Sequence, residues 1–163
     1  MGREEAFVQL IQENEGVIYK ITMVYTDNLH DRQDLYQEIV YQLWKGYDSF
    51  LGKAKFSTWM YRVAMNTAIS QLKKRKRQPN TLPPETLIGN ASDLANPEFE
   101  ERIRMLYAHI GELSILEKGI ILLFLEGKKY HEIAEITGLS ATNIGTRISR
   151  IKLKLKNRIK KEL

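Results

Sequence analysis

The sequence predicts an all-α protein: an N-terminal helical bundle and a C-terminal helix-turn-helix domain joined by a flexible linker. Three observations carry this. Apolar residues recur every three or four positions in each long segment, and no stretch alternates as a half-buried strand does. Residues 78–96, QPNTLPPETLIGNASDLAN, hold three of the four prolines and have little periodicity, the mark of a linker. Residues 130–155, YHEIAEITGLSATNIGTRISRIKLKL, read as a short helix, a three-residue turn and a longer helix.

In chain order, residues 4–26 form the first predicted helix, with Phe7, Leu10, Ile11, Ile18, Ile21 and Val24 along one side. Gly16 inside it costs about 1 kcal/mol relative to alanine and allows a bend. Asp31 is a natural N-cap for a helix over residues 32–45, closed by Gly46. Its apolar face is Leu35, Tyr36, Ile39, Val40, Leu43 and Trp44, which leaves Asp34, Gln37, Glu38 and Gln42 outside. Residues 47–56 read as a loop. A third helix then starts at Ser57 or Thr58 and runs to about Arg75. Trp59, Met60, Val63, Ala64, Thr67, Ala68 and Leu72 face inward, while Arg62, Asn66, Lys73 and Arg77 fall near one outward line.

Beyond the linker, Asn96 followed by Pro97 is an N-cap with proline at the first helical position. It opens a helix through Glu112 that buries Phe99, Ile103, Leu106 and Ile110. Ser114 and Glu117 form a capping box that starts a very apolar helix ending at Gly127. In residues 130–155, Ile133, Ala134 and Ile136 give the short helix its apolar side. Gly138 supplies the positive φ that ends it, Leu139 plugs the corner, and Ser140 caps the next helix. There Ile144, Ile148, Ile151 and Leu155 form a buried stripe. The opposite face carries Thr142, Asn143, Thr146, Arg147, Arg150 and Lys154. Short polar side chains come first and bases later. That order suits a helix whose N-terminal end meets base edges and whose body meets phosphates. An ordinary αα-hairpin with a solvated basic face shares the local pattern. The basic tail over residues 152–161 and the second basic helix upstream favour DNA.

Composition narrows the function classes. At 163 residues the chain makes one domain or two small ones, and 43% hydrophobic residues suffice for a core. No apolar run spans a bilayer and no signal pattern opens the chain, so membrane insertion is not expected. The absence of cysteine excludes disulfides and thiolate metal sites and fits a reducing, cytoplasmic setting. His30, His109 and His131 lie far apart without ligand spacing, and no phosphate loop or nucleophile elbow occurs. No metal, cofactor or enzymatic activity is expected. The net charge of +5 divides into alternating blocks: −5 over residues 1–51, +8 over 52–84, −5 over 85–117 and +7 over 118–163. Two basic blocks suggest two DNA-facing surfaces, and two acidic ones suggest surfaces for something else.

Residues 31–50, DRQDLYQEIVYQLWKGYDSF, followed by FSTWMYRVAMNTAISQLKKRKR, resemble the second conserved domain of bacterial RNA polymerase sigma factors. Residues 113–155 resemble their fourth domain. The short length and the lack of a domain between them are similar to the minimal extracytoplasmic-function (ECF) group. The resemblance implies a division into residues 1–77, a linker over 78–96, and a helix-turn-helix domain over 97–163. It implies that Asp34, Gln37 and Glu38 bind core RNA polymerase at the clamp helices of its largest subunit. Phe56, Ser57 and Thr58, with Trp59 more at home in the core, match the turn beside the pocket for a flipped minus-ten base. Arg62, Asn66, Lys73, Lys74, Arg75 and Arg77 match the face that meets minus-ten DNA and its backbone. Thr142, Asn143, Thr146, Arg147 and Arg150 fall on the minus-thirty-five reading helix. Arg147 is the first choice for a guanine contact, and Arg150 and Lys152 are assigned to phosphate. Asn143 and Gly145 depart from the common pattern; Gly145 would let a DNA backbone come close.

The resemblance thus implies a non-enzymatic sigma factor with core polymerase, promoter DNA and an anti-sigma factor as partners. Glu85 and Asp93 in the linker would mimic nucleic acid inside the polymerase. Two rivals compete. A stand-alone helix-turn-helix regulator would use its N-terminal bundle to dimerise or sense a ligand, but leaves the basic block at 52–84 without a purpose. A nucleic-acid enzyme would need paired carboxylates for Mg²⁺, and the acidic residues are spread over outer helix faces.

Overall fold

The structure is a computed structural model that describes residues 2–50, 52, 55–76 and 97–162. Seven helices account for these residues: α1 (Arg3–Tyr25), α2 (Leu29–Phe50), α3 (Phe56–Lys76), α4 (Pro97–Gly111), α5 (Ile115–Leu125), α6 (Tyr130–Thr137) and α7 (Ala141–Glu162). No strand occurs among the described residues. The expected linker, with Glu85, Asp93 and the Asn96 cap, lies outside them, as does Arg77.

α1, α2 and α3 pack on one another as the N-terminal bundle. Phe7, Ile18, Ile21 and Val24 of α1 meet Leu35, Ile39 and Leu43 of α2 and Met60, Ala64 and Ala68 of α3, all buried as their spacing predicts. α2 is longer than expected at both ends. It begins three residues before Arg32 because Asn28, rather than Asp31, caps it: the Asp31 N–H donates to Asn28 Oδ1 at 2.8 Å. It also runs through Gly46 to Phe50. Glycine is tolerated there because the Trp59 ring lies 3.3 Å from where a Cβ would stand. Aromatic packing holds the extra turn, with Phe50 against Phe56 and Trp59, and Tyr47 against Phe7. Much of the expected loop is therefore helix.

In the C-terminal half, α5 opens with the expected capping box: Glu117 N–H donates to Ser114 Oγ and Ser114 N–H to Glu117 Oε1. Gly127, at φ +83°, closes it, with Lys128 N–H donating to the Leu123 carbonyl. Gly138, at φ +82°, ends α6, and Asn143 N–H donates to Ser140 Oγ at the start of α7. The predicted stripe of α7 is buried: Ile144, Ile148 and Ile151 are 0% exposed. Each such side chain contributes about 1.5–3 kcal/mol relative to an exposed one. Phe99 corrects an expectation, being 51% exposed, because burial on α4 begins only a turn later, at Ile103.

The two halves are not held apart. α4 and α5 pack against α1, and α6 packs against α3. Met65 and Tyr25 close over Gly119 of α5, where an added Cβ would stand 3.0 Å from the Tyr25 hydroxyl. Tyr25, 3% exposed, donates its hydroxyl to the Ile115 carbonyl at 3.0 Å. One apolar core runs through both halves.

Candidate nucleic-acid and polymerase interfaces

Three faces carry the residues singled out in the sequence. On α2, Asp34 and Gln37 are exposed and Glu38 is half-buried, so the carboxylates line the outer side of the helix. Gln42 Nε2 donates to Glu38 Oε1 at 2.9 Å, and His30 lies 3.3 Å from Asp34. His30, Asp31 and Asp34 bring ligand atoms within 4.8 Å of one another. Asp31, however, is engaged by Arg75 at 2.6 Å and by Asn28.

On α3 the candidates separate. Arg62, Asn66, Lys73 and Lys74 are exposed. Arg75 is not on their line. It turns back onto Asp31 of α2, so its charge is met within the bundle rather than offered outward. Thr58 is 3% exposed, and its side chain is part of the interior, because it follows the start of the helix on the inward side. Phe56 is half-buried against Phe50 and Trp59. Trp59 belongs to that same aromatic cluster, as expected. Ser57 and Arg62 are already occupied. Lys128 Nζ donates to Ser57 Oγ at 3.1 Å, and Arg62 Nη2 donates to the Glu135 carbonyl at 2.9 Å.

On α7, Thr142, Asn143, Thr146 and Arg150 are exposed, and Arg147 is half-buried. Arg147 Nε donates to Asn143 Oδ1 at 2.6 Å, so the guanidinium is held along the helix with its far edge unused by that bond. Lys152 does not share this face. At about 100° per residue it stands nearly opposite Arg150, and its ammonium lies 4.2 Å from the centroid of the Phe124 ring on α5. Gly145 is likewise off the reading face: a Cβ there would meet the Tyr130 ring of α6 at 3.3 Å. Its small size makes room for Tyr130, not for a DNA backbone.

Electrostatics tie the elements together. Lys20 donates to Glu126 at 2.8 Å, and this bond holds the Lys20 ammonium above its ordinary value against the opposing effect of burial. Burial pushes the Tyr25 and Tyr61 phenols well up. Burial also lifts the Glu117 carboxyl, but hydrogen bonds from Lys154 and Ser114 outweigh it and leave the group lowered. The contacts that Lys128 makes with Ser57 and with the Tyr61 ring at 5.3 Å, and the seating of Arg62 on Glu135, were not legible in the sequence. They join residues some 70 positions apart.

Comparison with known proteins gives the family. The Sigma-70 region 2 family model matches residues 10–78, which hold α2 and α3, and the Sigma-70 region 4 model matches residues 103–155, which hold the helix-turn-helix. The chain belongs to the sigma-70 family, in its ECF group. The ECF sigma-E factor of Haemophilus influenzae is 29% identical over 97% of this sigma factor and 89% of its own length. The sigma-E factor of Escherichia coli K12 is 28% identical over 97% and 88%. An ECF factor of Mycobacterium tuberculosis, SigG, is 42% identical over 77 residues, which is 47% of this chain but only 20% of SigG. Among solved structures, RpoE of Bartonella quintana, crystallised with the anti-sigma factor NepR, superposes with a TM-score of 0.79 at 20% identity, covering 96% of this chain and 98% of that one. CnrH, in complex with the cytosolic domain of CnrY, gives 0.73 at 18% identity, covering 99% and 92%. These structural likenesses concern the fold. No helix among the described residues of this sigma factor is long and apolar enough to cross a membrane.

Proposed function

We propose that this ECF sigma factor directs core RNA polymerase to specific promoters and helps open them, without enzymatic activity of its own. One observation carries the reading: a region 2 match and a region 4 match stand in order on one chain, each with its basic helix face. In this reading residues 1–77 bind polymerase and the minus-ten element, and residues 97–163 bind the minus-thirty-five element. Asp34, Gln37 and Glu38 dock on the polymerase. Arg62 and Asn66, with Lys73 and Lys74 supplying counterion release, take minus-ten DNA. Thr142, Thr146 and Arg147 face base edges, and Arg150 faces phosphate. The stand-alone regulator leaves the region 2 match without a role. An anti-sigma factor is a further proposed partner, supported by the likeness to RpoE held by NepR. A cytoplasmic location follows from the same reading, since the polymerase is there.

The test is run-off transcription with purified core polymerase on fragmented genomic DNA from the source organism. Discrete transcripts that require the protein, vanish in Arg62→Ala/Asn66→Ala and weaken in Arg147→Ala are expected. Polymerase-independent dimeric binding to a palindrome, with no new transcript, would overturn the proposal.

A further inference from the structure

The minus-ten face of α3 is covered by the protein's own helix-turn-helix. Arg62, exposed on α3, donates to the carbonyl of Glu135. That carbonyl is among the last four of α6, which have no partner inside the helix and carry the negative end of its dipole. The end of α6 thus offers Arg62 what a phosphate would: an oxygen acceptor with partial negative charge. Beside it Lys128 donates to Ser57 and lies over the Tyr61 ring. Away from these residues the halves are joined by Lys20 with Glu126, whose side chain is only 14% exposed, and by Tyr25 with the Ile115 carbonyl. Met65 and Tyr25 are seated on Gly119, a residue with no side chain to hold them off.

We infer that the free protein is self-closed, with α6 and the α5–α6 turn occupying the minus-ten surface of α3, so that promoter DNA and the C-terminal half compete for Arg62 and Ser57. The competition is steric as well as chemical. A DNA strand on Arg62 cannot coexist with the Glu135 carbonyl at 2.9 Å from the same nitrogen. The inference rests on the assignment of Arg62 and Ser57 to minus-ten DNA. It adds that affinity for that DNA is set by opening of the Lys20–Glu126 and Gly119 contacts, none of which touches the DNA-binding residues.

The chain contains no cysteine, so Gln12→Cys on α1 and Asn157→Cys on α7, both exposed positions, give a unique pair of spin labels on the full-length free protein. A narrow distance distribution is expected. Lys20→Glu, which sets like charges at the contact, and Gly119→Leu, which wedges it, should each lengthen and broaden the distribution. Both should tighten binding of a single-stranded minus-ten oligonucleotide, taken from a promoter mapped by run-off transcription. The gain expected is about ten-fold, the factor by which a site open one-tenth of the time is weakened. Lys20→Glu/Glu126→Lys should restore both readings, which a merely destabilised fold would not do. If the distance lengthens while oligonucleotide affinity stays unchanged, or neither variant lengthens it, the inference is overturned. Failure of the minus-ten assignment is separable: Arg62→Ala would then leave polymerase-dependent transcription intact.

Discussion

Asn143→Ala is expected to change what α7 reads far more than how stably it folds. Arg147 Nε donates to Asn143 Oδ1 at 2.6 Å across one helical turn. As an exposed i, i+4 pair, that bond contributes only about 0.2–0.5 kcal/mol to the helix. The N–H of Asn143 still donates to Ser140 Oγ after truncation, so the cap survives. For DNA the balance differs. Without its tether, Arg147 must be immobilised on binding, at about 0.5–1.5 kcal/mol for one rotamer-rich side chain. A guanine contact itself discriminates by about 1–3 kcal/mol. The variant should therefore lose about two- to ten-fold in affinity for a minus-thirty-five duplex, converting those energies at 1.4 kcal/mol per decade. The loss should concentrate at the base pair Arg147 reads and be absent in an Arg147→Ala background. The assay is fluorescence anisotropy over a set of single-base-pair substitutions, with all four members of the double-mutant cycle. An equal loss against every duplex, or full additivity with Arg147→Ala, would refute the tethering argument.

Other outcomes follow from the described geometry. Gly138→Ala places a Cβ in open space but at φ +82°, so it should destabilise by about 1–2 kcal/mol from backbone strain alone, read as a lower urea midpoint. A fall beyond this would point to a contact that the structure does not contain. Ile148→Ala empties a site that is 0% exposed and should cost about 2–5 kcal/mol, with loss of minus-thirty-five binding above the lowered melting temperature; a cost under 1 kcal/mol would contradict that burial. Stability should form a plateau across neutral pH and fall at both ends. The Tyr25 and Tyr61 phenols are raised above 10.0 by burial, and Lys20 is raised above 10.5 by Glu126, so their contribution is intact below pH 10 and lost as pH climbs beyond it. Glu117 is lowered from 4.5, so its contribution is present above that value and lost as pH falls through it. Urea midpoints that stay level to pH 12 would contradict the buried tyrosines.

Local chemistry was readable in the sequence wherever one residue decides it. Ser114 with Glu117, Gly127, Gly138 and Ser140 each do in space what their identity requires, and the isoleucine stripe of α7 is buried as its spacing demands. Misreadings arose where distant packing overrode a local signal. Gly46 looks like a helix stop, but Trp59, thirteen residues on, fills the space beside it and the helix continues. Arg75 reads as part of a basic run, yet Asp31 of another helix claims it. Lys152 belongs by sequence to the basic tail, and helix phase carries it round to Phe124. The closure of one half on the other left no trace in periodicity, because its polar contacts run through a main-chain carbonyl and a hydroxyl rather than through a charge pattern.

The acceptor that meets Arg62 has an evolutionary corollary. A carbonyl oxygen is present whatever side chain stands at position 135, so no ordinary point change there deletes it. What fixes the contact is where α6 stops, and Gly138 decides that. Glu135 can therefore drift freely among relatives while the contact persists, and neither invariance nor covariation at that position would betray it. Moving the helix end by one residue would instead retune it in a single step.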